Sequence, residues 1–258
     1  MSFSSQNRRA RIAAFFDLDG TMLGGPSLEW RFFRHLRECR LLGAEQYFGW
    51  VAETLRLARR GVSAMREGNK MYLRGVAVEA AGSFRPMRWE FFAEGLRRLR
   101  WHAAQGHRLV LVSGTLEPLA RLAARALEDE LARHGCVTNV RVCATRIEEA
   151  GGGWSGRMPQ GLMNGAAKAE AVRRIAEEER LDLELSFASG NSAGDLCMLG
   201  TVGRPAAVNP DALLAQAAAR GGWPVLHWGR AEAGRKDEET RRAGLENAFA
   251  NSGGEQKP

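Results

Sequence analysis

Residues 12 to 21 of the chain read Ile12-Ala13-Ala14-Phe15-Phe16-Asp17-Leu18-Asp19-Gly20-Thr21. The first half of this stretch is a continuous apolar run, which is typical of a buried strand. Its second half turns abruptly polar. Residues i and i+2 of an extended backbone point to the same side, so Asp17 and Asp19 form a pair. The stretch therefore predicts a buried strand that carries two carboxylates at its carboxyl end.

Two carboxylates this close repel each other, and a divalent cation is the usual way to relieve that repulsion. One of them can act as a nucleophile while its neighbour transfers protons. The alternative interpretation is a simple exit from a strand into a turn, with both acids solvated. Motifs elsewhere in the chain are needed to choose between a catalytic pair and a solvated turn.

Further apolar segments along the chain predict strands, and amphipathic segments between them predict helices. The predicted strands cover residues 108–112, 140–144, 185–189, 206–208 and 225–228. Strands that alternate with helices indicate the α/β class with a doubly wound, Rossmann-like parallel sheet. Such sheets bind ligands beyond the carboxyl ends of their strands, and each polar motif of this chain follows a predicted strand or opens a predicted helix.

A helical block interrupts this alternation directly after the first strand. Residues 25–106 carry apolar side chains at helical spacing, with helices predicted over 63–81 and 87–104. We therefore predict an α/β core made of residues 1–24 and 107–229, and an inserted all-helical cap domain, residues 25–106, over the ligand crevice. Residues 230–258 are polar and predict a partly disordered tail.

The amino-acid composition indicates a globular protein and argues against a membrane-spanning or secreted one. The 258 residues are 45% hydrophobic and 26% charged, as in soluble globular proteins, and no apolar stretch approaches the ~20 residues of a membrane span. The apolar patch after the N-terminal arginines is too short for a secretion signal. The four cysteines form no C-x-x-C pair, so we expect reduced thiols and a cytoplasmic protein without stable membrane insertion.

The net charge of +7 comes from an excess of arginine. These arginines recur at helical spacing beside apolar residues, which favours solvated helix faces over nucleic-acid binding. A positive surface would still attract anionic substrates. We expect a small phosphorylated molecule as partner and no nucleic acid, whereas the oligomeric state stays open.

Three further motifs complete a possible phosphoryl-transfer site. They are Ser113-Gly114-Thr115 after a strand, Lys168 near the start of a helix, and Gly190-Asn191-Ser192-Ala193-Gly194-Asp195 after another strand. Phosphoryl transfer needs an in-line nucleophile and charge neutralisation around the phosphoryl oxygens. Asp17 would attack phosphorus, and Asp19 would serve as general acid and base. Taken singly, the serine motif is a common helix cap and the lysine a common surface residue; their ordered combination carries the prediction.

The remaining groups would bind the phosphoryl group and a cation. Ser113 and the backbone N–H of Gly114 would hydrogen-bond phosphoryl oxygens at a helix start, and Lys168 would supply a point charge. Hard oxygen donors suit Mg²⁺. We predict that it is held by Asp17, the Asp19 carbonyl, Asn191 and Asp195.

In these motifs the chain resembles the haloacid dehalogenase (HAD) superfamily of aspartate-nucleophile phosphatases, in its phosphoserine-phosphatase-like IB branch. Its D-x-D-x-T motif falls on Asp17, Asp19 and Thr21, its strand-end serine on Ser113, and its lysine on Lys168. The resemblance covers about residues 12–228. It implies a Mg²⁺-dependent phosphomonoesterase that forms an aspartyl-phosphate, with Thr21 among the phosphate-binding residues.

The chain departs from this family at its last motif, where Asn191 replaces an aspartate that binds the metal. The site loses one negative charge, so we expect weaker metal binding. The alternative is a catalytically impaired relative that binds a phosphorylated ligand without turnover. Glu29 falls where relatives meet a substrate amine, and we predict a substrate-binding role for it. The identity of the phosphomonoester stays open.

Overall fold

A computed structural model gives the fold for residues 11–61, 68–86 and 88–229. The strands are β1 (Ala13–Phe16), β2 (Arg108–Leu116), β3 (Val140–Thr145), β4 (Glu149–Ala150), β5 (Gly153–Trp154), β6 (Phe187–Gly190), β7 (Arg204–Val208) and β8 (Val225–Leu226). The helices are α1 (Leu28–Glu38), α2 (Ala44–Arg59), α3 (Glu79–Ser83), α4 (Ala93–Ala104), α5 (Glu117–Arg133), α6 (Ala166–Glu179), α7 (Leu196–Leu199) and α8 (Ala212–Gly221). Two 3₁₀ turns cover Met71–Leu73 and Ala193–Asp195.

Six of the strands form one parallel sheet in the order β3-β2-β1-β6-β7-β8. The chain builds outward from β1 to β2 and β3, and then crosses back to β6 on the other side of β1. The strand order thus reverses at β1, which is where doubly wound sheets bind their ligands. The predicted α/β class and parallel sheet are confirmed.

Both faces of the sheet are buried, as the unbroken apolar run of β1 requires. Ala14 and Phe16 face one apolar cluster, which includes residues of α4 and α5. Ala13 and Phe15 face a second cluster, which includes residues of α6 and α8. All four side chains are at most 2% exposed. This packing fixes the strand, and hence the position of the polar residues that follow it.

The segment between β1 and β2 differs from its predicted helices. Where one helix was predicted over 63–81, residues 68–81 form a 3₁₀ turn and the start of the short helix α3, while 62–67 lie outside the described residues. The predicted helix over 87–104 begins only at Ala93. Gly68 and Gly75 have φ of +81° and +77°, a conformation that interrupts a right-handed helix. The apolar spacing in this segment was therefore misleading.

The last helix of this segment packs on the sheet. His102 of α4 contacts the rings of Phe16 in β1 and Phe187 in β6, with centroid distances of 5.7 and 4.7 Å. The predicted end of the cap at residue 106 stays a prediction. We infer a boundary near Phe92, because α4 shares the core of the sheet.

Two short linkers connect this inserted segment to the sheet, and they run side by side. Leu23 and Phe91 form an antiparallel bridge, and the Gly24 N–H donates to the Glu90 carbonyl at 2.9 Å. The guanidinium of Arg31 donates to the Gly24 carbonyl and pairs with the Glu90 carboxylate, at 2.7 and 2.6 Å. The two linkers therefore form one paired connection.

A second connection comes from the hairpin β4–β5. Trp154 is 1% exposed, and its ring lies 5.9 Å from that of Phe32 in α1. Its backbone N–H donates to the Val76 carbonyl at 2.9 Å, and its carbonyl accepts from the Gly75 N–H at 2.8 Å. A hairpin from the β3–α6 connection thus inserts its tryptophan among the helices that precede β2.

Stability should depend on pH through His102, which is 1% exposed and lies 2.9 Å, Nδ1 to Nδ1, from His107. Burial, helped by His107 and Arg98, lowers the pKa of His102 to about 3. Because this pKa lies below the unfolded value of about 6.5, the unfolded chain takes up the proton first. This contribution to stability is complete above about pH 6.5 and is lost progressively toward pH 3.

Urea unfolding at pH 7 and pH 4.5 checks this prediction. His102→Phe keeps the aromatic packing and removes the titration. The fall in unfolding free energy between the two pH values should be smaller in this variant by about 2–3 kcal/mol. An equal fall in both proteins would contradict the assignment.

Candidate active site

Asp17 begins the site directly after β1. Its backbone N–H donates to the Ser189 carbonyl at 2.9 Å, which continues the pairing of β1 with β6. Its carboxylate is buried; Oδ1 lies 2.6 Å from Lys168 Nζ, and Oδ2 accepts from the Thr21 hydroxyl at 3.1 Å. Burial raises the pKa of Asp17 to about 7, against the opposing effect of the Lys168 ammonium. The carboxylate is desolvated and held by one cation.

Lys168 links two motifs that are far apart in sequence. It lies in the first turn of α6, which follows Gly165 with φ of +53°, and its side chain is buried. Its Nζ lies 2.6 Å from an oxygen of Asp17 and 2.6 Å from Oδ1 of Asp195. Burial opposes the charge, but the two carboxylates raise the pKa of the Lys168 ammonium above its ordinary value. Lys168 is therefore charged between two acids.

Asp195 is held by the loop after β6. Its Oδ2 accepts from the N–H of Asn191, the N–H of Ser192 and the Ser192 hydroxyl, each at 3.0 Å. A Cβ on Gly190 would lie 2.4 Å from the Asp195 Cβ, so only glycine fits at this strand end. The loop thus fixes one carboxylate oxygen and leaves the other for Lys168.

Asp19 lies on the other side of the site and is held by two donors. Its Oδ1 accepts from the Leu28 N–H at 2.8 Å, and its Oδ2 accepts from the Thr115 hydroxyl at 3.0 Å. Burial raises the pKa of Asp19, while these two hydrogen bonds oppose the shift. A carboxyl group with a raised pKa is suited to carry a proton to a reacting oxygen.

The serine motif lies inside β2. The strand continues to Leu116, with an irregular register between Ser113 and Leu116, and α5 begins only at Glu117. The helix that follows therefore begins three residues after Gly114, and the Gly114 N–H belongs to the end of the strand; its predicted phosphate-binding role stays a prediction. The Ser113 hydroxyl accepts from the Thr115 N–H at 3.1 Å, and the Gly114 carbonyl accepts from a threonine hydroxyl of β3 at 2.7 Å.

Asn191 lies beside the turn that follows Asp17. Its Oδ1 is 3.5 Å from the Thr21 hydroxyl, which also donates to Asp17. Gly20 has φ of +82°, and a Cβ there would lie 2.1 Å from Asn191 Nδ2. The turn and the asparagine therefore fit each other closely. Thr21 is fully buried, and its hydroxyl points toward Asp17. Its predicted phosphate-binding role stays a prediction.

Glu29 projects from the first turn of α1. Both its carboxylate oxygens are bound by Lys70 Nζ, at 2.5 and 2.6 Å, and Oε1 also accepts from the Tyr72 hydroxyl at 2.8 Å. Burial, with the Glu29 carboxylate, raises the pKa of Tyr72 well above its ordinary value. Substrate binding by Glu29 stays a prediction, and in the structure its charge is already balanced by Lys70.

These groups surround one cavity of about 300 Å³. Its lining includes the predicted residues Asp17, Asp19, Glu29, Ser113, Gly114, Lys168 and Asn191. Lys70 lines this cavity and also a neighbouring one of about 550 Å³, formed between α2 and residues 156–161. The structure thus brings the predicted residues together, with Thr21 and Asp195 immediately behind the wall.

Sequence reasoning assigned no role to three residues of the site. Thr115 holds Asp19, Lys70 binds Glu29, and Thr145 links β2 to the loop before α6 by accepting from the Met163 N–H at 3.1 Å. Thr115 lies in the quoted serine motif, at a position where a strand residue shares a face with Ser113. Nothing in the sequence pattern pointed to Lys70 or Thr145.

The oxygen atoms at this strand edge could hold a hard cation. Asp17 is a desolvated carboxylate, and Asn191 adds an amide oxygen beside it. Within residues 11–61, 68–86 and 88–229, no group of three or more His, Cys, Asp or Glu side chains is gathered for a metal ion. A cation would therefore depend on amide, carbonyl and water oxygens as well, which Mg²⁺ accepts.

This arrangement of motifs matches a known family model over residues 14–200, that of the haloacid dehalogenase-like hydrolases. The chain belongs to this family. A protein of Streptomyces azureus, named for inhibition of morphological differentiation, is 30% identical over 237 residues, covering 85% of this chain and 79% of its own. Phosphoserine phosphatase SerB1 of Mycobacterium tuberculosis is 28% identical over 225 residues, with coverages of 83% and 70%.

Solved structures of other proteins share the fold. A Bordetella pertussis protein of unknown function superposes with a TM-score of 0.64 at 24% identity, covering 84% of this chain and 99% of that one. A phosphoserine phosphatase solved as an analogue of its phospho-aspartyl intermediate gives a TM-score of 0.52 at 17% identity, with coverages of 85% and 94%. At these identities the likeness concerns the fold. The predicted membership of the haloacid dehalogenase superfamily is confirmed.

Proposed function

We propose that the protein is a Mg²⁺-dependent phosphatase that hydrolyses a small phosphomonoester through an aspartyl-phosphate on Asp17. The observation that carries the proposal is the buried ammonium of Lys168, 2.6 Å from both Asp17 and Asp195. Asp17 and Lys168 line the 300 Å³ cavity together with Asp19. A salt bridge that served only to stabilise the fold would not need to border a cavity in which a substrate fits. The family membership and the phosphatase names of relatives support the same reaction class.

In the first half-reaction, a carboxylate oxygen of Asp17 attacks phosphorus and the bond to the leaving oxygen breaks. Asp19 gives its proton to that oxygen, and its raised pKa suits this task. Lys168 neutralises phosphoryl charge and keeps the nucleophile in place, while Ser113 and the Gly114 N–H bind phosphoryl oxygens. The first product leaves as an alcohol.

In the second half-reaction, Asp19 is a carboxylate and takes a proton from water as the water oxygen attacks phosphorus. The bond between phosphorus and Asp17 breaks, which releases inorganic phosphate and restores the Asp17 carboxylate. Leu28 and Thr115 hold Asp19 in one orientation through both halves, since each binds a different carboxylate oxygen. This positions one group for both proton transfers.

Mg²⁺ would be held by Asp17, the Asp19 carbonyl and Asn191, and when bound it supplies charge neutralisation for the phosphoryl group. The predicted fourth ligand, Asp195, has one carboxylate oxygen bound by the loop and the other by Lys168, so it would hold Lys168 and the loop in place behind the cation. The donors are oxygens, as Mg²⁺ requires. The four cysteines are free, which suits the cytoplasmic location that we propose. No helix in the described part of the chain has the length and apolarity to cross a membrane.

A panel of phosphomonoesters tests the function directly. Phosphoserine, histidinol phosphate and glycerol phosphates would be offered with Mg²⁺ and with a chelator, and phosphate release measured. We expect Mg²⁺-dependent release from at least one of them. If phosphorylated ligands bind but no phosphate is released, the alternative is supported: a catalytically impaired member of the family that is inactive because Asn191 replaces a metal-binding aspartate.

Asn191→Asp is expected to strengthen Mg²⁺ binding by about tenfold, because it adds a carboxylate charge to the site. Turnover at saturating Mg²⁺ should be preserved or raised. The measurement is the Mg²⁺ concentration for half-maximal phosphate release. Asn139→Asp is the matched control: Asn139 is exposed directly before β3, at the edge of the sheet opposite the site, and its side-chain oxygen accepts from Arg108, a contact that aspartate keeps. This variant should leave that concentration unchanged. An equal or higher Mg²⁺ requirement in Asn191→Asp would show that Asn191 does not face the cation.

A further inference from the structure

Helix α2 exposes an unusual amount of apolar surface. Five of its large apolar side chains are exposed, namely Tyr47, Phe48, Trp50, Val51 and Leu55. Phe48 is 75% exposed and Leu55 is 57% exposed. Leu57 is the single buried residue of this 16-residue helix. A helix that served only as packing for its neighbours would bury such side chains.

The exposed side chains form one stripe. Phe48, Val51 and Leu55 follow at intervals of three and four, so they lie on one face of the helix, with the exposed Ala44 and Ala58 extending it at both ends. We call these five residues the α2 stripe. The opposite side of α2 carries Leu57 and packs inward. The helix is therefore amphipathic with its apolar face outward, and no described residue covers that face.

The charge around the stripe is positive. Arg56, Arg59 and Arg60 are exposed at the carboxyl end of α2, and Arg40 is exposed just before its beginning. The helix also carries two acids, Glu45 and Glu53, and Arg56 pairs with Glu53 at 2.6 Å. The four arginines of this region still outnumber its two acids, and the chain as a whole carries +7. An apolar face with aromatic residues beside arginines is typical of helices that lie in the plane of a membrane surface. Anionic lipid headgroups attract such arginines.

A second copy of the chain fits this surface less well. A 16-residue helix is about 24 Å long, and one of its faces offers roughly half of the ~800 Å² per partner that a stable dimer buries. Two copies would also bring together two chains of net charge +7. An anionic bilayer needs no matching surface, and its charge is opposite to that of the protein.

We propose that the α2 stripe docks the protein on the surface of an anionic phospholipid membrane, with its apolar side chains at the headgroup boundary. The same helix forms one wall of the 550 Å³ cavity, through Glu53, Arg56 and Leu57, and that cavity meets the catalytic cavity at Lys70. Docking on α2 therefore places the membrane on the outer side of a helix whose inner side lines that cavity. The proposal concerns binding and does not depend on the proposed reaction.

Vesicle co-sedimentation of the full chain tests the proposal. Vesicles of phosphatidylcholine alone are compared with vesicles that also contain phosphatidylglycerol, at low and high salt. We expect at least tenfold stronger partitioning to the anionic vesicles, weakened by salt because charges contribute. The double variant Phe48→Asp/Leu55→Asp should lose at least tenfold of this binding. Val137→Asp/Leu213→Asp, at two exposed apolar positions elsewhere, should bind like the unchanged protein.

The milder Phe48→Ser/Leu55→Ser variant should show the same loss, and thermal unfolding verifies that each variant is folded. Equal partitioning to both vesicle types would overturn the proposal. So would full binding by a folded Phe48→Asp/Leu55→Asp protein, since the contact would then lie elsewhere. The proposal would also be overturned if the unchanged protein did not bind vesicles but formed a dimer that Phe48→Asp/Leu55→Asp dissociates. The stripe would then be an interface between two copies of the chain.

Discussion

Asp17→Asn is expected to lower phosphomonoester turnover by at least about a thousandfold. The amide has nearly the shape of the carboxylate but is not a nucleophile, so no aspartyl-phosphate can form. Nothing else in the cavity replaces it, because Asp19 is bound by Leu28 and Thr115 and Asp195 is buried behind Lys168. Phosphate release at saturating Mg²⁺ measures the loss.

The variant should stay folded, because Lys168 keeps its contact with Asp195. Circular dichroism checks this, and Asp129→Asn, at an exposed position on α5, is the matched control and should retain full turnover. Labelling with a radioactive phosphomonoester should leave acid-stable, base-labile phosphate on the unchanged protein and none on Asp17→Asn. Turnover by Asp17→Asn near the original rate would remove Asp17 from the reaction.

Lys168→Met is expected to have the second large effect, on both turnover and stability. The substitution leaves Asp17 and Asp195 facing each other in a buried place without their shared cation. Removing one partner from a buried charge cluster typically costs about 3–5 kcal/mol. Turnover should fall at least about a hundredfold, since the phosphoryl charge also loses its ammonium.

Urea unfolding in the presence of a chelator measures the stability of Lys168→Met without help from a cation. Its deficit should shrink as the pH is lowered. Lys168 lowers the pKa of Asp17, so its removal raises the folded pKa of this carboxyl further above the unfolded value. The ionised Asp17 then destabilises the protein above the unfolded pKa, and stops doing so once it is protonated. Lys168→Arg, which keeps the charge, should recover more stability than turnover. Equal stability of Lys168→Met and the unchanged protein would contradict the shared role of this lysine.

The core of the fold and the centre of the site follow from local sequence. The run before Asp17 is apolar on both faces, so it requires a strand buried between two layers, and that strand fixes where Asp17 and Asp19 emerge. Lys168 and Asp195 come from distant segments, yet a parallel sheet gathers strand ends and helix starts at one edge. The resemblance to a family supplied the pairing of these segments.

The helical insertion was predictable only in outline. Its apolar spacing indicates helices, but Gly68 and Gly75 adopt positive φ and divide one predicted helix. The contact between Lys70 and Glu29 joins residues 41 positions apart, and no periodicity encodes it. Thr115 shows a different limit: its motif was noticed, but its partner Asp19 depends on how β2 lies beside β1. Tertiary packing decided these features.

The insertion of Trp154 has a consequence for how the cleft can open. The helices above the sheet are attached through the paired linkers at Leu23 and Phe91, and again through the hairpin that carries Trp154. Helices attached only through the paired linkers could rotate about them as a hinge. Because the hairpin attaches the same helices a second time, such a rotation would have to move the hairpin as well. Any widening of the entrance therefore has to move the β4–β5 hairpin together with the helices, or withdraw the indole from beside Phe32.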